Sequence, residues 1–171
     1  MKILYLMIFV FVSGLIFGQD SPQNLGETFF ILFKSNNIKP LDTLTSSCND
    51  VKKIYLEIDS TLSILQADNF CEKFDYRNKK FKKKCEKLRM DTTLFNINWN
   101  TASLQNIDYY KKEMNNEKGS NSNTKTLTSH HLIIIFNTNN RKYSIEFKGI
   151  NKLGNKWKLG QQIRMKEIKN E

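Results

Sequence analysis

Two periods divide the chain. From Ser21 to about Arg89 apolar residues recur three or four apart, as on a helix face, and from about Leu104 onward the pattern turns to strand-like segments rich in β-formers. Ser21 and Pro22 read as an N-cap and a first-turn proline, and Leu25, Phe29, Leu32 and Phe33 then share one face until Pro40 ends or interrupts the helix. Ser47 with Asp50 three residues on resembles a capping box. Behind it Val51, Ile54, Tyr55, Ile58, Leu62 and Leu65 continue a helical stripe, although Ile54, Leu56 and Ile58 also alternate as in a strand. A third helix is predicted from about Asp68 to Arg89, with Phe70, Phe74, Phe81, Cys85 and Leu88 on its apolar face.

The strand-like segments lie around Leu104 to Met114, Thr126 to Asn137, Arg141 to Ile150 and Lys156 to Lys166, and a polar tract from Asn115 to Lys125 reads as a long loop between the first two. A two-residue turn at Asn139 and Asn140 sets Phe136 opposite Tyr143, Ile134 opposite Ile145 and Leu132 opposite Phe147, so every apolar side chain lands on one face. For the next hairpin the same criterion selects a three-residue loop, Leu153 to Asn155, which puts Ile163 opposite Ile145 and Leu159 opposite Gly149. A two-residue loop would bring Arg164 opposite Ile145. The other face then carries Ser144, Glu146, Lys148, Lys158, Gln162 and Arg164. These patterns predict an α+β fold: N-terminal helices packed on one face of a curved antiparallel sheet of about four strands.

The first twenty residues have a different character. Lys2 precedes an apolar run from Ile3 to Val12, continued by Leu15, Ile16 and Phe17 and closed by Gly18, Gln19 and Asp20. A basic start, an apolar stretch of about 15 residues and a small residue before a polar one describe a cleaved secretory signal, while a membrane span needs about 20. Cleavage is expected after Gly18 or Gln19. This gives a signal peptide over residues 1–18 and a single domain over 19–171, with an uncleaved N-terminal anchor as the alternative reading of the same run. The protein is then exported, periplasmic or extracellular in a Gram-negative bacterium, with no transmembrane span left once the signal is removed.

Charge adds a second clue. Lys and Arg number 27 against 17 Asp and Glu, a net charge of +10, and much of the excess lies between Arg77 and Arg89. Lys79, Lys80, Lys83, Lys84 and Lys87 form a candidate anion-binding set for lipopolysaccharide, lipid head groups or nucleic acid, read against the simpler alternative of a solvated helix face. The cluster is mostly Lys and Phe81 falls on the apolar side, which argues against nucleic acid. Three cysteines remain, Cys48, Cys71 and Cys85. On one continuous helix Cys71 and Cys85 stand about 21 Å apart along the axis, beyond disulfide reach, so any bridge then needs Cys48. Cys48 with Cys85 is the candidate pair, and a helix break around Asp75 to Asn78 would reopen Cys71 with Cys85.

Catalytic signals are sparse. His130 and His131 are the only histidines, and neighbours on a strand point to opposite faces, so they do not ligate one metal together. No zinc-type spacing, phosphate-binding glycine loop or nucleophile elbow occurs, and neither metal nor cofactor is expected. The derived register puts His130 on the buried face beside Gly149, where a missing side chain leaves room above the sheet. Gln161, Tyr143 and Trp157 add polar tips on that side. These four form the candidate ligand-binding set, with locally satisfied core polar groups as the structural alternative. Asp108 could partner His130, but the first strand lacks clear alternation and its facing stays open. Trp99 reads as a plug between helices and sheet.

Helices first, then a meander containing Tyr143-Ser-Ile-Glu-Phe-Lys, Leu153-Gly-Asn-Lys-Trp-Lys-Leu and a terminal basic strand, resembles the cone-shaped nuclear-transport-factor-2-like (cystatin-like) superfamily. The Gly154-Asn-Lys-Trp-Lys-Leu hairpin, with Asn98-Trp99, is also similar to small exported proteins of unassigned function from Bacteroidetes-type bacteria. The superfamily holds both enzymes and binding modules. Its enzymes typically place an Asp/His or Asp/Tyr set inside the cone, and His130 is the residue here that matches in type. The leading expectation is a non-catalytic exported module binding a small apolar ligand or a protein partner in the bacterial envelope. A small hydrolase or isomerase using His130 and an anionic-surface binder using the lysine-rich helix are the alternatives.

Overall fold

The computed structural model describes residues 19–58, 64–90, 95, 97–114 and 127–169. The predicted signal peptide, Leu62 of the second helical stripe and the polar tract up to Lys125 lie outside them. Among the described residues four helices, α1 (Pro22–Lys34), α2 (Leu41–Leu44), α3 (Cys48–Ile58) and α4 (Ile64–Met90), precede five strands: β1 (Ser103–Met114), β2 (Leu127–Thr138), β3 (Arg141–Leu153), β4 (Lys156–Lys158) and β5 (Gln162–Ile168). The strands form one antiparallel sheet in which β1, β2 and β3 follow one another and β3 pairs with both β4 and β5. The α+β architecture read from the sequence is the one observed.

Local chemistry sets the helix boundaries. Ser21 Oγ accepts a hydrogen bond from Asn24 N at 3.0 Å and caps α1, with proline in the first turn. The helix stops at Lys34, before Pro40: Asn36 takes φ 61° and Asn37 N donates to Leu32 O at 3.0 Å, a left-handed C-terminal closure that Asn tolerates. The predicted capping box closes reciprocally, with Ser47 N donating to Asp50 Oδ2 at 2.8 Å and Asp50 N to Ser47 Oγ at 3.1 Å. Helix α4 starts four residues earlier than Asp68 and runs unbroken through Asp75 to Asn78. Of the apolar residues described along it, Phe81 and Cys85 are buried in the core, Phe74 is half-buried and Phe70 is exposed.

The first hairpin follows the predicted register, with Leu132 opposite Phe147, Ile134 opposite Ile145 and Phe136 opposite Tyr143. Asn139 and Asn140, at φ 51° and 59°, make the turn. The second hairpin corrects the expectation. Leu153 pairs with Lys156, so the loop is the two-residue Gly154-Asn155 with Gly154 at φ 58°. Arg164 nevertheless stays off the core face, because the chain spends extra residues at Leu159 to Gln161 before β5, and Met165 comes opposite Ile145 and Ile163 opposite Phe147. Gly160 makes that detour feasible: a Cβ there would lie 2.0 Å from Lys148 O and 2.7 Å from Gly149 O. A matching irregularity in β3, with Gly149 at φ 74°, shifts His130 to face Ile150 instead of Gly149.

The inward face of the sheet packs on α1 and α4. Phe29 meets Phe147 edge-on with ring centres 4.7 Å apart and stacks on Phe33 at 5.1 Å, while Phe81 approaches Phe147 from α4 at 6.3 Å. Trp99 plugs the far end as expected, stacking on Phe136 at 5.4 Å and donating its Nε1 hydrogen to Arg89 O at 3.3 Å. Gln19 is part of the fold: Nε2 donates to Thr43 O at 2.9 Å, and its own carbonyl accepts from Trp157 N at 2.7 Å.

Candidate functional site

The four residues expected to line a ligand pocket do not gather in one place. Tyr143 is fully buried at the Trp99 end of the sheet, where its hydroxyl donates to Phe95 O at 2.7 Å. Gln161 is held by α4, donating through Nε2 to Asn78 Oδ1 at 3.0 Å and Phe74 O at 3.3 Å. Both are satisfied structural groups. His130 and Trp157 do meet, at the other end of the sheet, and a residue missed in the sequence completes their contact. Tyr109 lies opposite Leu132, hence on the inward face, with its hydroxyl 2.5 Å from His130 Nδ1.

The ring geometry defines the chemistry available there. Tyr109 and His130 are nearly coplanar, 12° apart with centres at 5.8 Å; at that separation, with the hydroxyl aimed at the imidazole nitrogen, they join edge to edge and are not face-stacked. Trp157 stands at about 70° to both, 5.5 Å from each. Burial raises the Tyr109 pKa and keeps its proton in place. Burial first, then the charges of Lys111 and His131, lowers the His130 pKa below its ordinary value. A neutral imidazole accepting Tyr109's proton at Nδ1 carries its own hydrogen at Nε2. Such a corner can donate a hydrogen bond to a ligand, but among the described residues no carboxylate pairs with His130. Asp108, left open as its partner, lies on the opposite face across from Ile133, where it accepts from Asn106 Nδ2 at 2.6 Å. The alternation that should have revealed Tyr109 is blurred by adjacent Tyr109 and Tyr110 and by a bulge near Gln105.

The cysteines pair differently from the expected Cys48–Cys85 bridge. Cys48 joins Cys71, with Cα atoms 4.9 Å apart, because the continuous α4 carries Cys71 alongside the start of α3. Cys85 remains a buried thiol whose pKa is pushed up to about 12 by burial. The bridge also occupies the thiolates that, with Asp75, make the one metal-like grouping among the described residues.

Lys79, Lys80, Lys83, Lys84 and Lys87 are all exposed on α4. From Lys79 to Lys87 they cover about 12 Å of helix. Among the described residues none of the five closes a salt bridge, whereas neighbouring Lys82 turns to Asp42. Lys80 Nζ sits 4.5 Å above the Tyr76 ring. Lys79 also borders an open cleft of about 610 Å³ walled by Ser46, Ser47, Asn49 and Asn78, with Asp42 and Asp75 beside them. Among the described residues no helix is long and apolar enough to cross a membrane. No family model, curated protein or solved structure matches the chain.

Proposed function

We propose that the protein is an exported, non-catalytic binding module of the bacterial envelope that docks on anionic, phosphate-bearing lipid surfaces through the basic face of α4. The observation that carries this reading is the exposed set Lys79, Lys80, Lys83, Lys84 and Lys87, free of salt bridges among the described residues. A cation near an anionic leaflet contributes about 1 kcal/mol, so five on one helix face are enough for reversible docking without an apolar anchor. The small-ligand version loses support because Tyr143 and Gln161 are engaged elsewhere. The hydrolase or isomerase version loses it because among the described residues His130 has no acidic partner. Export rests on the apolar run before Gly18, and the hydrogen bonds of Gln19 to Thr43 and Trp157 favour cleavage after Gly18 over removal of Gln19. Membership of the nuclear-transport-factor-2-like superfamily belongs to the same proposal, supported by the order of helices and meander.

Co-sedimentation with phosphatidylglycerol vesicles tests this. Replacing the five lysines by Gln is expected to weaken binding by at least about 100-fold at low ionic strength, and physiological salt should weaken the unaltered protein as well. Binding indifferent to both changes would remove the α4 surface from consideration.

A further inference from the structure

The outward face of the sheet is unlike an ordinary solvated face. Tyr110, His131, Lys148 and Gln162 form one row across it, Asp108, Ile133, Glu146 and Arg164 the next, and Asn106, Ile135, Ser144 and Lys166 a third. At its centre Ser144 is only 1% exposed and His131 6%, and Ile133 and Ile135 are half-buried. Tyr110 lies over His131 with ring centres 4.8 Å apart and donates to Glu146 Oε1 at 3.3 Å. His131 Nδ1, Asn137 Oδ1 and Ser144 Oγ are buried there, with Glu146 Oε1 4.0 Å from His131 Nδ1. Around this centre stand Lys112, Lys142, Lys148, Arg164 and Lys166, all exposed, against the acids Asp108 and Glu146.

Phe81 and Cys85 anchor α4 on the inward side of the sheet, so the lysines of α4 and the basic rim of the outward face point away from each other across the core. We propose that the outward sheet face is a second docking surface for anionic phospholipid, and that the protein thereby bridges two anionic bilayers. The inference rests on the α4 reading for the first of the two contacts. Charge favours this occupant over a second copy of the chain, since each copy carries +10 and would bring like-charged rims together. Lipid phosphates supply acceptors for the exposed rim cations.

The test uses the whole protein with phosphatidylglycerol vesicles, read both by co-sedimentation and by turbidity. Unaltered protein is expected to bind and to cluster vesicles. The sheet variant Lys148→Gln/Arg164→Gln/Lys166→Gln should still bind through α4, with clustering reduced at least about five-fold. A control with the same loss of charge, Lys39→Gln/Lys152→Gln/Lys156→Gln, should cluster normally. Binding without clustering by the unaltered protein overturns the inference and leaves the α4 reading standing. So does a sheet variant that clusters undiminished, or a control that fails equally. Clustering lost only in the sheet variant and kept when the α4 lysines are removed would instead sink the α4 reading while upholding the sheet surface. Far-UV circular dichroism on each variant establishes that it is folded.

Discussion

The hydroxyl of Tyr109 lies 2.5 Å from His130 Nδ1, and that contact decides what the only inward-facing histidine can do. Burial, Lys111 and His131 all lower the His130 pKa, so the imidazole is neutral at pH 7 and engaged at one nitrogen. A depressed folded-state pKa has a definite sign. The unfolded chain binds the proton more readily, so the contribution of His130 to stability is present above the ordinary value near 6.5 and is lost as pH falls through the folded value. The imidazole proton resonances of His130 should accordingly titrate below pH 6.5. Lys111→Gln should move the midpoint upward by removing the larger of the two charge effects that lower it. A midpoint above 6.5 in the unaltered protein would contradict the environment described.

Among the elements, α3 and α4 show how a covalent tie and a packed face divide the work. The Cys48–Cys71 bridge spans a sequence separation of 23 residues, for which chain-entropy arguments give about 3 kcal/mol. In the same region Phe70 is exposed and Phe74 half-buried. Reduction is expected to lower the thermal midpoint by roughly 10 °C. Thiol labelling provides the complementary check. Cys85 is buried with its pKa pushed up to about 12, so the native oxidised protein should take up no label. One label should enter in denaturant without reductant, and peptide mapping should locate it at Cys85. A label on Cys71 would restore the Cys48–Cys85 pairing read from the sequence.

At the scale of the whole molecule, charge is distributed against stability. The net charge is +10, and five neighbouring lysines of α4 repel one another without salt bridges among the described residues. Screening should relieve that cost. Raising sodium chloride from about 20 to about 300 mM is therefore expected to raise the thermal midpoint by a few degrees, and a midpoint that falls would mean the lysines are compensated elsewhere. The core that holds this surface in place is aromatic. Phe29, Phe33, Phe81, Phe136 and Phe147 are all at most 1% exposed and interlock between α1, α4 and the sheet. The same packing turns the two basic surfaces to opposite sides.

The division between what the chain states outright and what folding decides follows the range of each interaction. Capping at Ser21 and Ser47, the Asn139-Asn140 turn and the register of β2 against β3 depend on residues within a few positions of one another or on a strict period of two, and they were legible. So were the role of Trp99 and the basic face of α4. The second hairpin was misjudged because Gly149 and Gly160 each insert an irregularity, and the close approach of Gly160 to the Lys148 carbonyl is a fact of three dimensions that no alternation records. Tyr109 came to His130, and Cys71 to Cys48, for the same reason. Each partner is chosen by how one element lies against another, and packing of the Phe-rich core fixes that arrangement only after the local segments have formed.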